Sequence, residues 1–216
     1  MINFIKKKII KQRTKNPYQD VNDKYKLIFI HIPKNAGISI EQALFGQKIG
    51  HKSIKEFEAY DAKKLEEYFK FSVVRNPYDR LVSAFHFLKK GGRNDIDKVW
   101  AKNNLANINN FNEFIDKLKD KSFVKAILNQ QHFRPQYEYL INAQGKLKID
   151  YILEFENLQK DFESMLEKIN IESRGLKHKN KSNRNNWEEY YDENSKELIH
   201  KLYQKDFELF YEKRLK

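Results

Sequence analysis

At 216 residues the chain can build one ordinary domain with its own core, and its 40% hydrophobic and 14% aromatic content agrees with folding despite a mean hydropathy of −0.85. It has no cysteine, which excludes disulfides, thiolate catalysis and cysteine-ligated metal, and no apolar run approaches the ~20 residues of a membrane-spanning helix. A formal net charge of +12 points to anionic partners such as nucleotide phosphates, acidic polysaccharide, a membrane surface or nucleic acid.

Residues 1–24 read as a basic N-terminal tail outside the core pattern. Ile2, Phe4, Ile5, Ile9 and Ile10 stand among Lys6, Lys7, Lys8 and Lys11, a composition that suits either a solvated tail or peripheral contact with an anionic membrane. Residues 25–216 read as a single domain. Its first element is the stretch YKLIFIHIPKNAGISIEQAL. Leu27 to Ile30 form a continuous apolar run, the mark of a buried strand, and Pro33 ends it because proline cannot donate to a sheet ladder. Lys34, Asn35, Ala36 and Gly37 make a small-residue loop, and Ser39 opens a helix carrying Ile40, Ala43 and Leu44. A strand, a small loop and a helix N-terminus form a phosphate cradle, with Lys34 adding a full charge. It is not a Walker loop, whose lysine stands just before the helix, and alone it is equally consistent with an ordinary strand–helix turn.

Glycines at 46 and 50 suggest a loop that delivers His51, followed by a helix over roughly 61–68. Phe71, Val73 and Val74 form a second buried strand. Asn76 as N-cap, Pro77 at N1 and Asp79 at N3 start the next helix, whose apolar face is Leu81, Ala84, Phe85 and Leu88 and whose end is Gly91–Gly92. Arg75 therefore leaves the carboxyl end of a strand, and Ser83 stands two turns into the helix. Ligands of open α/β sheets gather outside the strand carboxyl ends, so both junctions are expected to serve one ligand. Further helices are expected around Phe111–Leu118, 122–131, 158–169 and 198–203, with a strand at about 151–155 and a basic, Asn-rich loop at 172–186. The expected fold is α/β, a P-loop-like three-layer arrangement with a small central parallel sheet flanked by helices.

The segments PKNAGIS and VVRNPYDRLVSAF, each after a strand, resemble the sulfotransferases that use 3′-phosphoadenosine 5′-phosphosulfate (PAPS). The resemblance is nearest to the carbohydrate branch that includes the heparan-sulfate 2-O- and chondroitin sulfotransferases and their bacterial relatives. Gln131–Gln136, Phe155–Leu158 with Asp161–Phe162, His178–Arg184 and Asp206–Tyr211 look like later blocks of the same family. The resemblance spans about residues 25–212. It implies that the first loop, Lys34, Asn35, Ala36, Gly37, Ile38 and Ser39, holds the 5′-phosphosulfate, and that Arg75 and Ser83 hold the 3′-phosphate. Ser182 and Arg184, in the late basic loop, read as closing over the nucleotide and His132 with Arg134 as touching an acidic acceptor, with a merely solvated loop as the alternative for each. Asn35 and Ile38 stand where the family commonly has threonines, so backbone contacts survive there and a hydroxyl contact does not.

Sulfuryl transfer needs positioning, a cation near the leaving oxygen and a base for the acceptor hydroxyl. Lys34 and the helix N-terminus supply the cation, Arg75 offers a bidentate fork and Ser83 a hydroxyl. Among the six histidines, His51 is the favoured base because its glycine-flanked stretch resembles the base-bearing segment of the heparan-sulfate 2-O branch. His132 is the runner-up. His31, at the end of the first strand, instead shapes the loop. No ligand spacing implies a metal. The expected acceptor is an anionic surface or capsular carbohydrate or a glycolipid, with no nucleic-acid partner, and the expected location is the bacterial cytoplasm, including the inner membrane face. Two rival classes remain at this level. A kinase-like phosphoryl transferase would need Mg²⁺ carboxylates, and a basic nucleic-acid-binding module would need exposed interleaved aromatics.

Overall fold

The computed structural model describes residues 15–176 and 185–212. Ser182 and Arg184, and nearly all of the residues suggested for membrane contact, lie outside the described residues. By packing, the described chain divides into two compact units, one from residues 15–74 and 136–176, the other from 75–135 and 185–212.

The first unit holds the sheet. After a short helix α1 (Asp20–Tyr25), strand β1 (Leu27–Ile30) runs beside β2 (Phe69–Val74), which runs beside β3 (Tyr151–Glu154). The order is β1-β2-β3 and both pairings are parallel, with Leu27 opposite Phe69 and Phe71 opposite Tyr151. β1 is buried along its length, as its unbroken apolar run requires, because helices cover a parallel sheet. Helix α2 (Gly37–Leu44) packs Ile40, Ala43 and Leu44 with Phe29, Phe71, Leu153, Phe162 and Met165. Helix α3 (Ile54–Glu67) leads into β2, and α8 (Tyr137–Leu140) and α9 (Leu158–Ile169) complete the unit. The structure is thus a mixed α/β fold with a small three-stranded parallel sheet flanked by helices, as the sequence leads one to expect.

Three local differences from the sequence reading have physical reasons. Packing begins before Tyr25: Tyr18 is buried, and Asn22 donates to the Leu27 carbonyl at 2.8 Å, so α1 braces the start of β1. Helix α3 begins at Ile54 rather than near 61, because Ser53 and Glu56 form a reciprocal capping box; the chain kinks at Asp61. A helix α5 (Asp95–Leu105) occupies a stretch to which the sequence reading assigns no element, capped by the Asn94 side chain accepting from the Asp97 amide.

The second unit is helical. Helix α4 (Pro77–Lys89) is followed by α5, α6 (Phe111–Lys117) and α7 (Lys121–Asn129), and the chain returns to it with α10 (Glu193–Leu202) and α11 (Gln204–Phe210). Its core gathers Leu81, Phe85, Leu88, Phe114, Phe133 and Ile199. Asn76 caps α4 by accepting from the Tyr78 amide at 2.9 Å, with Pro77 at N1, as expected.

Candidate active site

The loop from Pro33 to Gly37 is an amide-lined turn. Lys34 (φ +75°) and Ala36 (φ +58°) both adopt left-handed backbone, a cost on the order of 1–2 kcal/mol per non-glycine residue that the fold sustains here. Such alternation turns successive amides toward a common centre, the geometry of an anion nest. The N-cap of α2 is Ala36, which has no side chain with which to cap. The first intrahelical bonds are Ser39 and Ile40 donating to the Ala36 carbonyl, and the amides of Asn35, Ala36, Gly37 and Ile38 have no hydrogen-bond acceptor among the described residues. Unsatisfied amides at the positive end of a helix, beside a lysine, make this loop a candidate anion site.

The side chain of Asn35 points away from that site. It is 1% exposed, and its Nδ2 donates to the Val73 carbonyl and to Gln136 Oε1, both at 2.7 Å. Asn35 therefore offers an anion its amide only, and its side chain ties the loop to the end of β2. Sequence spacing could not reveal this, because Gln136 lies 101 residues away.

Gly37 is fixed by its neighbour. A Cβ there would fall 2.0 Å from His31 Cδ2 and 2.2 Å from Nε2, so the buried imidazole packs against the bare first residue of the helix. His31 Nδ1 donates to Glu41 Oε1 at 2.7 Å, and the same oxygen accepts from the amides of Ile49 and Gly50 at 3.2 Å each. Burial pushes the Glu41 carboxyl pKa up, but the His31 hydrogen bond and charge and the two amides outweigh it, leaving the pKa below its ordinary 4.5. Glu41 escaped the sequence reading, although a signal existed: a lone carboxylate at helical spacing with Gly37 and Leu44 on a buried stripe.

His51 stands beside this cluster. Its Nδ1 is 2.9 Å from the His31 carbonyl, and the two rings are 4.1 Å apart between centroids. A carbonyl only accepts, so Nδ1 carries the proton and Nε2 keeps its lone pair in neutral His51. That is the tautomer of a general base acting through Nε2.

In the second unit, Arg75 follows directly on β2 and donates through Nε to Asp79 Oδ2 at 2.7 Å; both side chains are largely buried. Pairing through Nε orients the guanidinium by an edge other than the Nη pair with which arginine grips phosphate. Asp79 and the half-buried Ser83 are one helical turn apart on the same face of α4, and Arg75 pairs with Asp79. The other two candidates differ in exposure. His132 is 5% exposed, with its ring against Phe87 and its Nδ1 3.3 Å from Gln130 Oε1 and 3.8 Å from Asp97 Oδ1. Arg134 is half-buried, and its carbonyl accepts from buried Arg80 at 2.8 Å, a constraint that sequence reasoning missed. His86 packs against Tyr190, and the partly exposed His200 stacks on Phe207 and pairs with Glu212 at 2.8 Å. Among the described residues, no group of three or more histidine, aspartate or glutamate side chains is arranged to hold a metal ion.

A parallel α/β sheet whose first strand runs into an amide-lined loop, with a histidine in the same unit, has the parts that group transfer from an anionic donor requires. The family model described as "Sulfotransferase family" matches residues 18–212, nearly the whole chain. The chain belongs to the sulfotransferase family, and its chemistry is sulfuryl transfer. Searches of the curated proteins and of the solved structures returned no match.

Proposed function

We propose that this sulfotransferase uses PAPS as donor and transfers its sulfuryl group to a hydroxyl of an anionic carbohydrate, as in the carbohydrate branch that its motifs resemble. The observation that carries the donor reading is the set of amides at Asn35, Ala36, Gly37 and Ile38, which stand beside Lys34 without acceptors among the described residues. Amides and a lysine are the donor set that suits a phosphosulfate dianion.

The donor supplies an activated sulfuryl group, whose sulfur–oxygen bond to the 5′-phosphate breaks as the bond to the acceptor oxygen forms. Lys34 and the loop amides neutralise the charge that develops on the leaving phosphate. Arg75, oriented by Asp79, and Ser83 bind the 3′-phosphate and so distinguish this nucleotide from singly phosphorylated ones. His51 Nε2 takes the proton of the acceptor hydroxyl, while the His31 carbonyl holds the opposite side of the ring. Arg134, less enclosed than His132, is the better placed of the two to meet an acceptor carboxylate. The formal charge of +12 favours an acidic glycan over a neutral one.

The test is transfer of labelled sulfate from PAPS to a uronic acid-containing polysaccharide, to a neutral polysaccharide and to a small alcohol, in EDTA. Preferential labelling of the acidic glycan is expected, abolished by His51→Ala with binding of 3′-phosphoadenosine 5′-phosphate retained. Labelling of the small alcohol alone would overturn the carbohydrate assignment, and an active His51→Ala enzyme would overturn the base.

A further inference from the structure

We infer that Glu41 is the positioning residue that sets the tautomer and place of His51, an inference that rests on the reading of His51 as the base. Glu41 lies on α2, 2% exposed, and makes no contact that sequence would assign to donor or acceptor. Yet its Oε1 holds both chain segments that define His51. On one side it accepts from His31 Nδ1 at 2.7 Å, and the His31 carbonyl accepts a hydrogen bond from His51 Nδ1–H at 2.9 Å. On the other it accepts from the amides of Ile49 and Gly50, the two residues that lead into His51.

Gly50 shows why the second hold matters. Its φ is +81°, and a Cβ there would meet nothing within 4 Å, so glycine serves the backbone turn and not a close approach. The turn carries the chain from Glu41 out to the exposed His51, which is otherwise a loop residue. The His31 carbonyl at Nδ1 selects between the two neutral tautomers of His51, and only the one with Nε2 unprotonated matches the base. Glu41 thus couples the anion loop to the base: the carboxylate that seats His31 against Gly37 also seats His51 on His31. A purely structural glutamate would stabilise the fold and leave the tautomer of His51 unaffected.

The test compares wild type, Glu41→Ala and Glu41→Gln by ¹⁵N NMR of the histidine rings, by titration with 3′-phosphoadenosine 5′-phosphate, and by the kcat and KM of sulfate transfer. Wild type is expected to show His51 as the Nδ1–H tautomer. Glu41→Ala is expected to show mixed tautomers and to lose kcat by about 10–100-fold, part of the roughly 10²–10⁴-fold that general-base catalysis contributes, with nucleotide affinity within twofold of wild type. Glu41→Gln keeps an acceptor oxygen at the same place, so it is expected to restore the tautomer and most of kcat. A folded Glu41→Ala protein with His51 still wholly Nδ1–H overturns the inference, as does a Glu41→Gln protein as impaired as Glu41→Ala. If Glu41→Ala does not fold, the wild type decides: slow exchange of the Ile49 and Gly50 amides with an Nδ1–H ring is expected, and an Nε2–H ring overturns it. The NMR readout needs no turnover, so it judges Glu41 even where an active His51→Ala enzyme refutes the base assignment.

Discussion

Replacing Gly37 with alanine tests how tightly the anion loop is built. Gly37 has no left-handed φ, so backbone strain does not refuse a side chain there; space does. The new Cβ would lie 2.0, 2.2 and 2.6 Å from Cδ2, Nε2 and Cγ of His31. The imidazole has nowhere to go, because Glu41 holds Nδ1 at 2.7 Å and the rings of Phe29 and His51 lie 5.6 and 4.1 Å away between centroids. Overpacking of this kind costs about 1–3 kcal/mol, and losing a hydrogen bond to a charged group adds about 1.5–3, a total on the order of 3–5 kcal/mol. At about 2–4 °C per kcal/mol for a chain of this size, Tm should fall by roughly 6–20 °C. If the loop moves in place of the ring, stability is spared, but the amides leave their common centre and affinity for 3′-phosphoadenosine 5′-phosphate falls about tenfold for each 1.4 kcal/mol lost. Scanning calorimetry and nucleotide titration of Gly37→Ala read both outcomes. Gly145→Ala is the control, since Gly145 (φ +75°) has open space around it and pays only the left-handed cost of about 1 kcal/mol. A Gly37→Ala protein matching wild type in both Tm and affinity would refute the close packing of loop and imidazole.

Two further outcomes are expected. Arg75→Ala should weaken 3′-phosphoadenosine 5′-phosphate by about 10–100-fold and leave adenosine 5′-phosphate within twofold, since only the first carries a 3′-phosphate; equal losses by titration calorimetry would contradict the assignment. It also removes the Arg75 charge from beside the largely buried Asp79, so Arg75→Ala/Asp79→Ala should recover thermal stability without recovering affinity. The Glu41 carboxyl has its pKa depressed by folding below the ordinary 4.5, so the stability it confers is present above that value and disappears as pH falls through the folded one. Denaturation of wild type and Glu41→Gln should therefore show a gap that is constant above about pH 5 and closes below pH 4.5; a gap that widens with acid would reverse the sign.

What the sequence revealed was local. The unbroken apolar runs of β1 and β2, the Asn76–Pro77 helix start and the amphipathic pattern of α9 all lie within a few residues of their own evidence, and each stands where the pattern puts it. Helix α5 was illegible because Ile96 and Val99 face solvent, at 78% and 59% exposure, while Ala101 and Leu105 are buried, which smears its periodicity. The start of α3 was legible in Ser53 and Glu56, but the glycines at 46 and 50 outweighed that signal. The inward turn of Asn35 depends on Val73, on the neighbouring strand, and on Gln136, 101 residues away, partners that only the folded chain brings close. Glu41 depends on a helix and a later loop meeting, so spacing could mark it as unusual but could not say what it holds.

The most direct test of the donor reading is titration calorimetry of the intact chain, without metal, using 3′-phosphoadenosine 5′-phosphate, adenosine 5′-phosphate and ATP. The expected result is tight binding of the bisphosphate, with the other two weaker by at least the tenfold that about 1.4 kcal/mol at the 3′-phosphate represents. Preference for ATP, strengthened by Mg²⁺, would contradict it and make the amide-lined loop a site for nucleoside triphosphate.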